Sequence, residues 1–225
     1  MEASGKHAVL LVNTGTPSAP TPKAVRSYLK RFLGNRRIVP VNPFIWWFIL
    51  HFAILPKRAK ASARKYQEIW TPEGSPFVLA HQALERGVAE ELLARGHDVD
   101  VRVAMSFDAP RTHDVIRELR KEGCSRLTVL PLYPQSAFST TYVVKDDVKS
   151  AVRGRRLRES TDIIDDYHAN ATYIRAIAAS IRHAGFDPDS DDRLLLSYHS
   201  IPLADIDAGD TYELQTSATS LHVAN

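Results

Sequence analysis

Apolar positions along the chain switch repeatedly between the two-residue period of strands and the longer period of helices. The apolar run HAVLLVN at residues 7–13 predicts a buried strand, and DVDVRVAM at residues 98–105 alternates as a strand does. Three further runs predict strands: RLTVLPLY at 126–133, TDIIDD at 161–166 and RLLLSYH at 193–199. The last run differs from the others because it ends on a histidine with serines close on both sides.

Helical patterns separate these strands and carry capping residues at their ends. Helices are predicted over about residues 22–33, 79–95, 112–122 and 170–184. Thr21 and Asn170 are predicted N-caps, and the glycines at 96, 123 and 185 are predicted stops. The last of these helices is expected to bury three isoleucines on one face, Ile174, Ile177 and Ile181.

The alternation of strands and helices predicts an α/β fold with a parallel sheet. Ligands of such sheets bind beyond the carboxyl ends of the strands, so the residues just after each strand are the candidates for chemistry. These residues are Asn13, Thr14, Ser106, Phe107, Tyr133, Pro134, Gln135, His199 and Ser200. Neither a GxGxxG pattern nor a P-loop follows a predicted strand, so nucleotide binding has no support in the sequence.

The segment FIWWFILHFAILPKR at residues 44–58 departs from this alternation. Residues 44–55 are apolar on every helical face, in a stretch shorter than the roughly 20 residues that span a bilayer. Two interpretations remain open: a buried helix, or a lip at a membrane interface or over a large apolar ligand. Adjacent Trp46 and Trp47, followed by Lys57 and Arg58, are compatible with such a lip.

Charge and cysteine content narrow the classes of function. The 225 residues carry a formal net charge of +3, which favours anionic ligands or surfaces. No zinc-finger spacing, RNP-like motif or long basic run predicts nucleic-acid binding. Cys124 is the only cysteine, which excludes an intrachain disulfide and an iron–sulfur cluster held by this chain. We expect a cytoplasmic protein without a signal peptide and without a permanently bound cofactor.

Four motifs, in order along the chain, resemble those of the ferrochelatase family. They are LLVNTGTP at 10–17, KYQEIWTPEGSPF at 65–77, VLPLYPQ at 129–135 and SYHSIPLADIDAGDTYELQTSATSL at 197–221. The resemblance implies an enzyme that inserts ferrous iron into a porphyrin in haem biosynthesis, with both as its substrates. It also implies a chelatase fold, in which two Rossmann-like three-layer domains enclose the porphyrin. On this basis we expect residues 1–160 to form the first domain and residues 161–225 the truncated start of the second.

The resemblance implies that His199 faces the porphyrin centre as the catalytic residue and as a metal contact. Metal insertion removes two pyrrole N–H protons. An imidazole that titrates near neutral pH can accept one of them, and in its neutral form it can bind ferrous iron. From the residues alone, a structural histidine hydrogen-bonded to Ser197 and Ser200 is the simpler interpretation.

Further porphyrin contacts are implied by the positions that match the family's motifs. The expected porphyrin-binding residues are Asn13, Thr14, Phe32, Arg58, Tyr66, Ser75, Tyr133 and Gln135. Arg58 suits a propionate because a guanidinium pairs with a carboxylate through two hydrogen bonds. Phe32 is expected to line an apolar pocket, and the role of Tyr133 and Gln135 is otherwise to shape the end of a strand.

Three residues depart from the family's pattern, and each changes the expected pocket. Ser106 stands where an arginine is usual, Ser136 where an aromatic residue is usual, and Tyr142 where a glycine is usual. The family also continues well beyond residue 225, into a part that holds a glutamate facing the histidine. We therefore expect a fragment or truncated product that does not insert iron at a useful rate by itself.

Two functions are alternatives to the iron-inserting enzyme. One is a non-catalytic remnant that binds a porphyrin or haem. The other is a chelatase for cobalt and a corrin precursor, which is disfavoured because the YPQ and GDTYELQT motifs resemble those of the iron enzymes. The apolar segment favours protoporphyrin over coproporphyrin and a peripheral contact of residues 44–58 with the inner face of a membrane. The sequence alone does not decide between the two porphyrins, and it leaves the oligomeric state open.

Overall fold

A computed structural model describes residues 6–152, 157 and 160–225. In this part of the chain a parallel four-stranded sheet comprises β1 Lys6–Asn13, β2 Asp100–Met105, β3 Cys124–Pro131 and β4 Thr161–Ile163. The strand order is β2-β1-β3-β4, so β1 is paired on both sides. The predicted α/β fold with a parallel sheet is therefore confirmed, and the four strands overlap the first four predicted strand runs.

The apolar run in β1 is explained by helices on both faces of the sheet. Leu10 and Val12 pack against apolar side chains of α5 Thr112–Lys121 and α6 Thr141–Ala151. Leu11 points to the opposite face and packs with β2 and α4 Pro76–Ala94. A strand buried on both faces needs apolar residues at successive positions, and the three-layer arrangement is confirmed.

Further helices lie within the described residues. They are α1 Pro22–Gly34, α2 Pro43–Phe48, a π-helical turn Ile49–Ile54, α3 Leu55–Ile69, α7 Ala171–His183, α8 Leu203–Asp207 and α9 Tyr212–Ala224. Both predicted side-chain caps are confirmed. Thr21 Oγ1 accepts a hydrogen bond from the Ala24 backbone N–H at 3.3 Å, and Asn170 Oδ1 accepts one from Thr172 at 3.0 Å.

The prediction of a buried strand over residues 193–199 is wrong. These residues, all of which the structure describes, form no strand, and the Leu195 side chain is 90% exposed. A strand is held by hydrogen bonds to a neighbouring strand and by packing on its faces. The edge strand β4 pairs only with β3 in the described sheet, so the apolar run has no strand beside it.

Two further expectations meet the structure in the region after residue 160. The isoleucines of α7 are half-buried instead of buried, since the main neighbour of α7 is the single helix α9, which covers only part of an apolar face. Strand β4 lies just past the expected domain boundary and pairs with β3. The division of the chain into two domains stays a prediction.

The apolar segment at residues 44–55 is helical but is not a buried helix. Leu50 and Leu55 are buried, whereas Phe44 and Phe52 are 73% and 71% exposed. The segment continues directly into α3, which packs against α1. Within the described residues, no helix combines the length and the apolar character needed to cross a membrane.

Candidate functional site

The carboxyl ends of β1 and β3 bring Thr14 and Tyr133 together. Thr14 Oγ1 and the Tyr133 hydroxyl share a hydrogen bond of 2.6 Å across a sequence separation of 119 residues. Burial raises the pKa of Tyr133 to about 12, and the bond to Thr14 opposes that shift. The phenol therefore stays protonated across the physiological range and can donate or accept a hydrogen bond.

A histidine that the sequence analysis did not single out fixes Asn13 at the same edge. His81 Nδ1 lies 2.6 Å from the carbonyl oxygen of Phe77, and a carbonyl only accepts, so Nδ1 carries the proton. His81 Nε2 then accepts a hydrogen bond from Asn13 Nδ2 at 2.9 Å. Asn13 Oδ1 accepts one from the Thr14 backbone N–H at 2.7 Å. No local pattern reveals this pairing, because it requires α4 to dock beside the end of β1.

Gly15 is required by the turn that follows these residues. Its φ angle is +93°, and a Cβ atom at this position would lie 3.0 Å from Cβ of Met105. Beyond the strand ends, Ser106 N–H donates to the Asn13 carbonyl at 2.9 Å and Phe107 N–H donates to the Thr14 carbonyl at 3.0 Å. These backbone bonds hold the loops after β1 and β2 against each other, so Asn13 and Thr14 are fixed from several sides.

Aromatic rings border this edge. Phe32 stacks on Tyr28 with ring centroids 5.9 Å apart, and it meets Phe107 edge-on at 5.1 Å. Tyr66 of α3 is half-buried, and burial raises its pKa while an interaction with the Thr16 hydroxyl opposes the shift. Phe32 is thus part of an apolar cluster, and Tyr66 reaches the loop that follows β1.

Arg58 and Ser75 lie in different surroundings. Arg58 is exposed on α3, and within the described residues its guanidinium has no ion pair or hydrogen bond. Its charge is therefore available to an anionic ligand. Ser75 is buried at the N-terminus of α4, where its side chain makes no capping hydrogen bond.

Gln135 does not join the other strand-end residues. It is buried, and its Nε2 donates to Thr219 Oγ1 of α9 at 2.9 Å. Its neighbour Ser136 donates its backbone N–H to Gln215 Oε1 at 2.7 Å, and Phe138 N–H donates to Asp210 Oδ2 at 2.7 Å. The loop after β3 is therefore bound to the α9 region, which gives Gln135 a structural partner in this structure.

His199 lies in the exposed stretch between α7 and α8. Burial raises the pKa of Tyr212, and a hydrogen bond between the Tyr212 side chain and the His199 backbone opposes that rise. In the described residues the imidazole has no hydrogen bond, so the structural role through Ser197 and Ser200 gains no support. Nor does a described polar or ring contact link the imidazole to Asn13, Thr14 or Tyr133.

The described residues contain no group of three or more histidine, cysteine, aspartate or glutamate side chains arranged to hold a metal ion. A histidine that contacts a metal ion only while the ion is being transferred to another molecule does not need such a group.

The departures from the family's motifs occupy distinct positions. Ser106 and Ser136 are buried. The Tyr142 ring lies under the cations of Arg37 and Lys145, at 5.3 and 4.8 Å, and meets Phe138 edge-on at 5.0 Å. Tyr142 is thus half-buried in a cluster with cations and one aromatic ring.

Comparisons with known proteins match nearly all of the chain. A family model described as ferrochelatase matches residues 6–225. A ferrochelatase of Yersinia enterocolitica is 39% identical over 215 residues, which cover 96% of this chain and 66% of that relative. A ferrochelatase of Yersinia pestis and one of Yersinia pseudotuberculosis are each 38% identical with the same coverage. The chain thus spans 66% of the length of these curated relatives.

Proposed function

Because the chain belongs to the ferrochelatase family, we propose that it binds a porphyrin and takes part in inserting ferrous iron into it. This is a metal chelatase reaction of the lyase class, and it serves haem biosynthesis. The observation that carries the proposal is the family match over residues 6–225, which includes the strand ends where Asn13, Thr14 and Tyr133 meet.

The reaction needs a group that takes up protons near the macrocycle. A neutral porphyrin and a ferrous ion form a neutral iron porphyrin and release two protons from the pyrrole nitrogens. We assign one of these protons to the His199 imidazole, and the other leaves to water. The support for this assignment is that His199 is exposed and that its imidazole has no side-chain partner among the described residues.

Porphyrin binding is assigned to groups of three kinds. The Thr14 and Tyr133 hydroxyls offer fixed polar contacts, and Phe32 offers an apolar surface. The exposed guanidinium of Arg58 is available for a propionate, through two parallel hydrogen bonds. Tyr66, Ser75 and Asn13 stay in the proposed set, whereas the bond from Gln135 to Thr219 favours a structural role for Gln135.

The apolar segment bears on the substrate and on the location of the protein. Exposed aromatic side chains at the surface of a water-soluble domain favour contact with a membrane interface. We therefore assign a peripheral contact through residues 44–58 at the cytoplasmic face of a membrane. A membrane-associated site favours protoporphyrin, the less polar substrate, over coproporphyrin.

The test is a titration of protoporphyrin into the purified chain, followed by quenching of tryptophan fluorescence. Iron insertion is assayed anaerobically in a protein of the family's full length, because the chain by itself is not expected to insert iron at a useful rate. His199→Ala should leave the porphyrin Kd nearly unchanged and abolish insertion, while His97→Ala serves as the matched control. Arg58→Gln should weaken porphyrin binding by about tenfold or more, the loss of a charged hydrogen-bonded pair.

The outcomes separate binding from catalysis. A folded wild-type chain that shows no saturable porphyrin binding would overturn the proposed function. Binding without any insertion would instead favour the non-catalytic alternative. Unchanged insertion in His199→Ala would remove His199 from the mechanism.

A further inference from the structure

A cavity of about 270 Å³ lies between the end of α1, the loop that follows it and the apolar segment. Trp46, Trp47 and Leu50 line one part of it. Lys30 and Arg36 line another part, and no acidic side chain is among its described lining residues. The lining therefore combines an apolar surface with two positive charges.

These two cations differ from their neighbours because their charges are not neutralised. Arg31 pairs with Asp108 at 2.8 Å, and Arg37 pairs with Asp146 at 2.7 Å. Lys30 and Arg36 are exposed and have no ion pair or hydrogen bond within the part of the chain that the structure describes. The positive charge at the cavity is thus available for an anion.

Indole and imidazole rings give the cavity a fixed shape. The Trp46 indole N–H donates to the Leu33 carbonyl at the end of α1, at 2.7 Å. His51 stacks on Trp47 with ring centroids 4.6 Å apart, and its Nδ1 donates to the Trp47 carbonyl at 2.9 Å. The Trp46 bond holds α2 against the end of α1, and the His51 contacts join α2 to the π-helical turn, so protein contacts fix these parts of the cavity wall.

The same segment continues into a row of exposed rings, which we call the aromatic ladder: Phe44, Trp47, Phe48 and Phe52. The rings of the ladder that contact one another have centroids 5.0 to 6.1 Å apart. Trp47 belongs both to the ladder and to the lining of the cavity. An apolar surface that enters a bilayer interface would therefore bring the cavity to the level of the lipid headgroups.

We propose that this cavity binds the phosphate headgroup of an anionic phospholipid while the aromatic ladder lies in the membrane interface. The cavity is smaller than the roughly 300 to 1,000 Å³ of sites that enclose a drug-sized ligand, so it suits a headgroup and not a whole tetrapyrrole. Basic side chains attract anionic headgroups, and the apolar lining accommodates the adjoining glycerol and acyl carbons. The inference rests on the proposed membrane contact of residues 44–58.

The experiment is flotation of the full chain with vesicles of phosphatidylcholine alone and of phosphatidylcholine with phosphatidylglycerol, at near-physiological ionic strength. Lys30→Gln/Arg36→Gln should lose about 25-fold in affinity for the anionic vesicles, about fivefold for each charge, and keep its affinity for neutral ones. Lys23→Gln/Arg26→Gln is the matched control, since it removes two exposed cations of α1 that do not line the cavity.

Three results would overturn the headgroup site. Equal losses of affinity for anionic vesicles in the two double variants would show that the positive charge of the whole surface attracts the membrane, without a specific site. No loss of affinity in either variant would show that these charges do not contribute to membrane binding. Binding of free glycerol phosphate as tight as binding to anionic vesicles would identify a soluble phosphate as the ligand.

Two parallel measurements separate this inference from the proposed function. Phe44→Ser/Phe52→Ser should lose binding to both kinds of vesicle, and retention of that binding would refute the membrane contact and the headgroup site together. The protoporphyrin titration of Lys30→Gln/Arg36→Gln should match wild type, because neither residue is assigned to the porphyrin. If wild type binds no porphyrin but shows the anionic preference, the proposed function fails and the headgroup site stands.

Discussion

Replacing Tyr133 by phenylalanine removes the hydroxyl that joins the ends of β1 and β3 and leaves the ring in place. The hydrogen bond it loses, to Thr14 Oγ1, is 2.6 Å long. A neutral hydrogen bond contributes about 0.5 to 1.5 kcal/mol net. Thr14 is half-buried, so water can reach its freed hydroxyl. We therefore expect Tyr133→Phe to lower the free energy of unfolding by about 1 kcal/mol near pH 7.

The difference between the two proteins should shrink in alkali. Burial raises the pKa of Tyr133 to about 12, from a reference value of 10.0. Below the unfolded pKa both states hold the proton, and the stability of the wild type is unaffected. As the pH rises from the unfolded towards the folded pKa, only the unfolded state releases the proton, so the wild type loses stability. At about pH 11 this loss is about 1.4 kcal/mol, and the variant cannot incur it.

The assay is urea denaturation of both proteins, followed by circular dichroism, at several pH values from neutral to about 11. The lower free energy of unfolding expected for Tyr133→Phe near pH 7 should no longer be seen at about pH 11. Thr14→Val is the matched control, because it breaks the same hydrogen bond but keeps the buried phenol. Its deficit should persist in alkali. A difference between wild type and Tyr133→Phe that stays constant over this range would refute the assignment of a buried, proton-retaining phenol.

Other substitutions test the turn, the core and one carboxylate. Gly15→Ala should lower the free energy of unfolding by about 2 kcal/mol or more, because φ is +93° and Met105 occupies the space a Cβ atom would need. Gly209→Ala, at a φ of +95° with open space around it, should lower it by less. Equal losses in the two variants would contradict the steric argument. Leu10→Ala should lower the free energy of unfolding, measured by urea denaturation, by about 2 to 5 kcal/mol. The same substitution at the exposed Leu203 should lower it by less than about 0.5 kcal/mol. A small loss for Leu10→Ala would contradict the place of Leu10 in the core. Burial raises the pKa of the Asp147 carboxyl, so the folded protein gives up stability as this group ionises above its unfolded pKa. Asp147→Asn should therefore raise the Tm near neutral pH but not in strong acid, and an equal change at both would contradict the burial argument.

The four strands and the helices α1, α4, α5 and α7 were predictable from local pattern. The apolar run of β1 predicts burial on both faces, and the structure places Leu10 and Leu11 in separate clusters on those faces. Thr21 and Asn170 predict helix starts because their side-chain oxygens satisfy backbone N–H groups only a few residues away. Each of these signals depends on neighbours in sequence, which is why the sequence carries them.

The features that local pattern did not reveal depend on contacts between distant parts of the chain. The run at residues 193–199 is as apolar as a strand, yet it lacks a neighbouring strand to pair with. Gln135 follows a strand like Tyr133, but its amide bonds Thr219, 84 residues away. His81 reaches Asn13 across 68 residues and leaves no sign of that contact in its own segment.

The sequence by itself determined the α/β alternation, the helix caps, the motifs that carry the family resemblance and the apolar character of residues 44–55. Only the tertiary structure decided which strand-end side chains meet, which of them are occupied by protein partners, and which apolar face stays exposed. The physical reason is the distance along the sequence over which each kind of interaction acts. Periodicity and capping act over one or two turns of chain, whereas the bond between Thr14 and Tyr133 exists only because two parallel strands end at the same edge of one sheet.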